Sequence, residues 1–344
     1  MEYCFRNLVF EGGGVKGIAY AGALQVLDEK KILEHIIRVG GTSAGAINAL
    51  LLGLGCTIKE VTDILNGLDF HNFLDDSWGL VRNTERLLSE FGWYKGDFFR
   101  GWIANIIKDK TGNPDTTFND LQGMKGTRGF RDLYFLGANL STRFAEVFSH
   151  EHTPRMCIAD AVRISMSIPL FFRAVRGVRG DVYVDGGLLD NYPVKLFDRE
   201  KYVEKYFSIP KYYEEHNNAL KEAGRELSPY VYNKETLGFR LDSAKEIAVF
   251  RDNAEPVMEQ IGDFFDYARA LVGTIMESQG SQHLHSDDWQ RTIYVDTLGV
   301  KTTEFGLDDN RKKALVTSGR DCTTKYFAWY DKPASKAVNR PSVG

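Results

Sequence analysis

The chain is poor in the features that would assign it to several large classes. It has 344 residues but only four cysteines (Cys4, Cys56, Cys157, Cys322), scattered without paired spacing. That pattern gives no disulfide framework and no metal-ligand signature, and suits free thiols in a reducing compartment. Basic residues are not in excess: the formal net charge is −4. No electrostatic footprint for nucleic acid follows, and no overall pull toward anionic membranes. No apolar run approaches the ~18 residues of a membrane span; the longest lies around Ala49–Leu54. A charged start followed by an apolar run, the mark of a secretory signal, is also missing at the N-terminus. A cytoplasmic protein is the default expectation, although contact with a membrane surface or export without a signal would leave no such mark. There is no G-K-[ST], so a P-loop is excluded, and no acidic spacing of a calcium loop. Neither a metal nor a cofactor is expected. Internal repeats and clean linkers are absent too.

What the sequence does have is glycine at chosen places. In Arg38-Val39-Gly40-Gly41-Thr42-Ser43-Ala44-Gly45, apolar strand residues (Ile36, Ile37, Val39) lead into G-x-S-x-G, and a small, apolar helix (Ala44 to Leu54) leads out. A serine on so tight a strand-to-helix turn sits at strained dihedrals, so Gly41 and Gly45 must be small. The helix aims free N–H groups and its positive dipole end at the serine, which suits an oxyanion. A glycine-rich turn whose serine merely caps a helix has the same letters.

Upstream, the strand Leu8-Val9-Phe10 runs into Glu11-Gly12-Gly13-Gly14-Val15-Lys16-Gly17, with Val15, Ile18, Ala19, Gly22 and Val26 at helical spacing. Three glycines in a row let backbone approach a ligand and direct N–H groups at developing negative charge. G-x-G-x-x-G also fits a dinucleotide fingerprint, but that reading needs an acidic residue at the end of the second strand. Glu34 precedes that strand, which ends in the Ser43 turn instead. Far downstream, Val182-Tyr183-Val184-Asp185-Gly186-Gly187 delivers an aspartate into a glycine turn.

These three pieces, in this order over about 180 residues, resemble the patatin-like phospholipase family. The resemblance implies an α/β fold, three-layer α/β/α with a central, mostly parallel sheet. It implies a Ser–Asp dyad that hydrolyses lipid acyl esters without a cofactor, with Ser43 as nucleophile and Asp185 as base. Gly12, Gly13 and Gly14 would supply the oxyanion hole, supported by Gly17, Gly41, Gly45, Gly186 and Gly187. The implied partner is a lipid or phospholipid substrate, met at a membrane surface; no protein partner is indicated. Glu11 stands where the family usually has Asp, and Lys16 where Arg is common. The family's small-x-small-x-Pro segment is Ser165-Met166-Ser167-Ile168-Pro169, followed by Arg173 where a later proline is usual. Two rival readings stay open. One is a Ser–His–Asp triad, with His283 or His285 following Asp185 in chain order, against the two strands that precede Ser43. His150 and His152 precede Asp185 and suit that order less well. The other is a catalytically silent protein of the same fold that binds lipid or a partner.

Along the rest of the chain, residues 1–331 read as one domain and 332–344 as a flexible tail. Asn48 is a buried structural hydrogen-bonder, and Thr57 caps a helix from Ile58 to Leu68. Residues 69–110 form an aromatic-rich helical cap: Phe70, Phe73, Trp78, Phe91, Trp93, Tyr94, Phe98, Phe99 and Trp102 pack on the core or show their tips to a membrane. Leu133–Leu140 is a buried strand, Ala145–Ser149 its hairpin partner, and Ile158–Ser167 a helix ended by Pro169. The polar, tyrosine-rich stretch 201–236 reads as an insertion near the mouth of the site, or as a surface loop. Leu237–Leu241 and Arg291–Val295 are strands. Ala254–Glu277 is a long helix with Ile261, Phe264, Phe265, Ala268, Leu271 and Val272 along one face, and Asp308–Tyr330 is a closing helix.

Overall fold

In a computed structural model of the chain, residues 3–68, 89–246, 260–278 and 287–332 are described, with a few single residues between (72, 87, 248, 255 and 258), residue 247 and some side chains excepted. Phe70, Phe73, Trp78, His283, His285, the side chains of Phe264 and Phe265 and the tail beyond Lys332 lie outside the described residues, whereas the helix expected over 254–277 starts only at Phe264, with Ile261 in the non-helical segment before it. The strands are β1 Asn7–Phe10, β2 Arg38–Gly41, β3 Gly92–Tyr94, β4 Asp132–Asn139, β5 Phe144–Ser149, β6 Leu170–Phe172, β7 Val175–Arg176, β8 Val182–Asp185, β9 Phe207–Ser208, β10 Tyr232–Asn233, β11 Thr236–Asp242 and β12 Thr292–Asp296. The helices are α1 Tyr20–Glu29, α2 Ala44–Gly53, α3 Ile58–Asn66, α4 Asp97–Thr111, α5 Phe118–Arg128, α6 Ile158–Ser165, α7 Lys211–Glu222, α8 Phe264–Ser278 and α9 Asp309–Tyr330.

The main sheet runs β12-β11-β1-β2-β4-β8-β7, with β5 also paired to β4. Its first five strands are parallel, while β5, β7 and β8 add antiparallel pairs at one side. This is the expected α/β architecture around a mostly parallel sheet. Strand side chains alternate faces. On β1, Leu8 and Phe10 enter the main core under α1 and α2, and Val9 joins a second cluster with Tyr134, Phe197 and Tyr202. The sheet is therefore covered on both faces, the second by short helical turns around 194–202. Phe10 stacks on Phe239 at 5.0 Å between ring centres and meets Tyr20 edge-on at 5.2 Å.

Local chemistry explains the helix boundaries. Thr57 and Glu60 form a reciprocal capping box at the start of α3, Thr117 and Asp120 another at α5. The Asp308 carboxylate accepts the Arg311 N–H to open α9. The α2 helix is buried at every position, as its composition predicts, and Asn48 on it donates to the carbonyls of Gly17 and Ala44. Helices α1 and α9 approach until backbone touches backbone. A Cβ on Gly22 would lie 1.8 Å from Val316 O, and one on Gly319 1.9 Å from Ala19 O.

The structure describes parts of two regions whose reading in sequence left alternatives open. Within the aromatic segment, Phe99, Ile103 and Ile107 bury one side of α4 while Phe98 is exposed; this part packs on the core. The 201–236 insertion does not stand at the mouth of the Ser43 turn. Glu204 pairs with Arg6, Tyr202 lies under the Arg38 guanidinium, and the Glu235 carbonyl accepts the Arg6 and Asn7 amides. Arg6, Asn7 and Arg38 mark the N-terminal ends of β1 and β2, whereas Ser43 follows the C-terminal end of β2. The insertion is anchored by the buried Glu235 carboxylate, which accepts the amides of Glu204, Lys205 and Tyr206. No helix among the described residues is long and apolar enough to cross a membrane.

Candidate active site

Ser43 sits between β2 and α2 at φ 54° and ψ −127°, in the left-handed region that non-glycine residues rarely adopt. Holding it there costs about 1–3 kcal/mol, and the flanking glycines make it feasible. A Cβ on Gly41 would lie 2.5 Å from the Gly45 carbonyl, and one on Gly45 2.3 Å from Phe10 O. A Cβ on Gly17 would press on Ala44 Cβ at 3.0 Å. The Ser43 N–H donates to Ser165 Oγ (3.1 Å).

The glycine loop after β1 lies directly against this serine: a Cβ on Gly12 would be 3.0 Å from Ser43 Cβ and 2.4 Å from Asn191 Oδ1. Gly14 takes φ +55°, and a Cβ there would meet Thr302 O at 2.0 Å. The three expected oxyanion donors are not equivalent. The Gly12 N–H donates to the Asn191 carbonyl (3.0 Å), while those of Gly13 and Gly14 have no protein acceptor among the described residues. The Ala44 N–H, first in α2, is likewise open.

Asp185 ends β8. Its N–H donates to Ser167 O (2.8 Å) and its Oδ1 accepts the Gly187 N–H (2.8 Å). The carboxyl is fully buried. Burial pushes its pKa up to about 7, and the Gly187 amide and the Ser43 hydroxyl pull back more weakly. Ser43 and Asp185 are thus near enough to feel one another. In this conformation, however, the Ser43 hydroxyl donates to Met166 Sδ (3.6 Å), and Asp185 Oδ2 has no hydrogen-bond partner among the described residues. Gly186 and Gly187 have no room for a side chain: a Cβ would meet Leu136 O at 2.4 Å or Met276 Cε at 2.4 Å. His152 bonds Ser149 at the end of β5, with burial lowering its pKa.

Sequence reading missed the residues that hold these pieces together. Asn191 Nδ2 donates to Gly12 O (3.3 Å) and Glu11 Oε1 (3.4 Å), while its carbonyl takes the Gly12 N–H. Glu11 Oε2 accepts the Leu241 N–H (2.6 Å), and Arg240, bonded to Asp242, stands 3.9 Å from Glu11 Oε1. Burial drives the Glu11 carboxyl upward against the pull of Arg240. Ser165 and Met166 lie in the segment singled out in sequence, but nothing in its spacing shows that both touch Ser43. Arg173, in place of a proline, ties its loop to Asp97 (2.8 Å).

This arrangement suits attack by a hydroxyl on an acyl carbon: a strained serine, a neighbouring carboxylate kept from water, and open amides beside it. Comparison with known proteins points the same way. A family profile described as Patatin-like phospholipase matches residues 8–198. The chain is 29% identical over 328 residues to the uncharacterized protein YqhO of Bacillus subtilis, covering 93% of this chain and 97% of YqhO. It is 25% identical over 197 residues to the probable lipid hydrolase 463L of Invertebrate iridescent virus 6, covering 56% and 63%. The crystal structure of VipD from Legionella pneumophila superposes with a TM-score of 0.57 at 18% identity, over 94% of this chain and 67% of VipD, a likeness of fold.

Proposed function

The chain belongs to the patatin-like phospholipase family, and from that premise we propose that it is a serine acyl hydrolase of glycerolipid esters, phospholipase A in type, with Ser43 as nucleophile and Asp185 as its base. One observation carries the reading: Ser43 is held at positive φ beside a buried carboxyl whose pKa is pushed to about 7. An ordinary aspartate, with a pKa near 3.9, is too weak a base for a hydroxyl. Desolvation brings this one to the range where a general base works at neutral pH.

In the reaction, the Ser43 hydroxyl turns from Met166 Sδ to Asp185 Oδ2 and gives up its proton as Oγ bonds to the ester carbonyl carbon. The Gly13 and Gly14 amides, with that of Ala44, receive the oxyanion; one such donor lowers the barrier by about 3–4 kcal/mol. The tetrahedral intermediate collapses, the C–O bond to the alcohol breaks, and Asp185 returns the proton to the leaving lysolipid. Water then repeats the attack on the acyl-enzyme with Asp185 as base, releasing a fatty acid. None of these steps calls on a metal or a cofactor.

The test is turnover of phosphatidylcholine with product identification, together with labelling by an alkyl fluorophosphonate. Wild type should yield a fatty acid and a lysolipid and be labelled at Ser43. Ser43→Ala should lose both, and Asp185→Asn should lose turnover by at least a hundredfold. Turnover that survives Ser43→Ala would remove the proposal. Lipid binding without any turnover in wild type would favour the silent, lipid-binding alternative.

A further inference from the structure

Strands β1, β2 and β11 are parallel, so their C-terminal ends share one edge of the sheet, where Gly12, Ser43 and Asp242 emerge. The connection from β11 to β12 leaves from that edge. Its helix α8 lies on the turn after Asp185. Met276 Cε is 2.4 Å from the point where a Cβ on Gly187 would stand, and that point is 3.1 Å from Asp185 Oδ1. Ala268, Val272 and Met276, one above the other at four-residue spacing, are the buried side of α8. With the helix seated there, Ser43 is 1% exposed and Asp185 0%. A substrate acyl chain cannot reach Ser43 unless something covering it moves.

One residue round the helix runs a second apolar stripe. Tyr267, Leu271 and Ile275 are 54%, 46% and 39% exposed, and Ile261, in the segment leading in, is 55% exposed. The helix packed on the Asp185 turn thus carries apolar side chains both on its buried side and on a side that faces water. We propose that this outer stripe of α8 docks on a zwitterionic phospholipid bilayer, and that docking draws α8 away from the Asp185 turn and opens Ser43. The inference rests on the acyl-hydrolase reading, because that reading puts the bilayer at the door the stripe borders. Aliphatic and tyrosine side chains suit the boundary between headgroups and acyl chains. The α8 sequence, FFDYARALVGTIMES, holds a single basic residue, and the chain carries −4 overall, so an anionic surface is not what it is built to meet.

The experiment uses the full chain with Leu271→Glu and, separately, Tyr267→Glu, both at exposed positions, with folding checked by thermal melting. Flotation with phosphatidylcholine vesicles measures docking. Turnover is measured on the same vesicles and on six-carbon phosphatidylcholine below its micelle threshold. Wild type should float, and its turnover should rise at least tenfold when the short-chain lipid passes that threshold. Each variant should lose flotation and at least tenfold of vesicle turnover, with monomer turnover within twofold of wild type. Ser43→Ala should still float. If wild type floats but hydrolyses neither lipid, the dyad reading fails, and lost flotation in the variants still supports the stripe. Variants that float and turn over as wild type overturn the proposal. So does a wild-type dimer that ignores vesicles and that the variants break apart in sedimentation, because the stripe is then a contact between copies.

Discussion

Replacing Asp185 by Asn should make the protein inactive and, at alkaline pH, more stable. The carboxyl is fully buried, and its pKa stands at about 7 against an ordinary 3.8. The folded protein therefore keeps this proton over a range where the unfolded chain has lost it. The stability this gives is fully present below about pH 3.8 and is lost as pH rises through about 7. The span corresponds to about 4 kcal/mol. The carboxamide of the variant cannot ionise and escapes that loss. It brings a cost of its own: its NH2 would occupy the place of Oδ2, which has no partner, and an unpaired buried donor costs about 1–3 kcal/mol. The variant should therefore be the less stable protein near pH 4.5 and the more stable one, by about 1–3 kcal/mol, at pH 8.5. Urea unfolding of both proteins across that range measures the difference, which cancels the other titrating groups. The wild-type kcat/KM should climb with pH to a plateau above about 7, as expected of a base that must be ionised. Difference curves flat with pH would refute the assignment of a raised pKa to Asp185, whatever the variant's activity.

Two further substitutions probe how the site is held. Asn191→Ala removes the donor to Gly12 O and Glu11 Oε1; it should cut kcat ten- to a hundredfold with little change in KM. The pH midpoint of kcat/KM should stay in place, since the base is elsewhere. Gly22→Ala drives a methyl into the backbone of α9, 1.8 Å from Val316 O; it should cost about 1–3 kcal/mol in denaturant unfolding while turnover per folded molecule is unchanged.

The turns that build the site were legible because steric exclusion writes itself into sequence. Gly41, Gly45, Gly186 and Gly187 each face backbone or side chain too close for a Cβ, and no other residue type fits. The helix starts at Thr57 and Asp308 were legible for a similar reason, because a cap acts on amides two or three residues away. The clamp on the glycine loop was not, since the Asn191 and Leu241 groups that Glu11 binds lie 180 and 230 residues further along the chain. Nor does polarity say at which edge an insertion hangs. The tyrosines and charges of 201–236 promise a surface, and only the contacts to Arg6 and Arg38 place that surface away from Ser43.

Helix α8 shows the remaining limit most directly. Periodicity put Ala268, Leu271 and Val272 on one face, whereas the structure buries the first and third and leaves Leu271 46% exposed. A hydrophobic pattern reports which side chains prefer to leave water, and says nothing of what will cover them. When the apolar arc of a helix is wider than the protein beneath it, the uncovered part needs an occupant or carries a cost in solubility. On most surfaces that excess would be incidental. Here it lies on the helix packed against the Asp185 turn, so whatever covers Leu271 acts on an element that touches the candidate site.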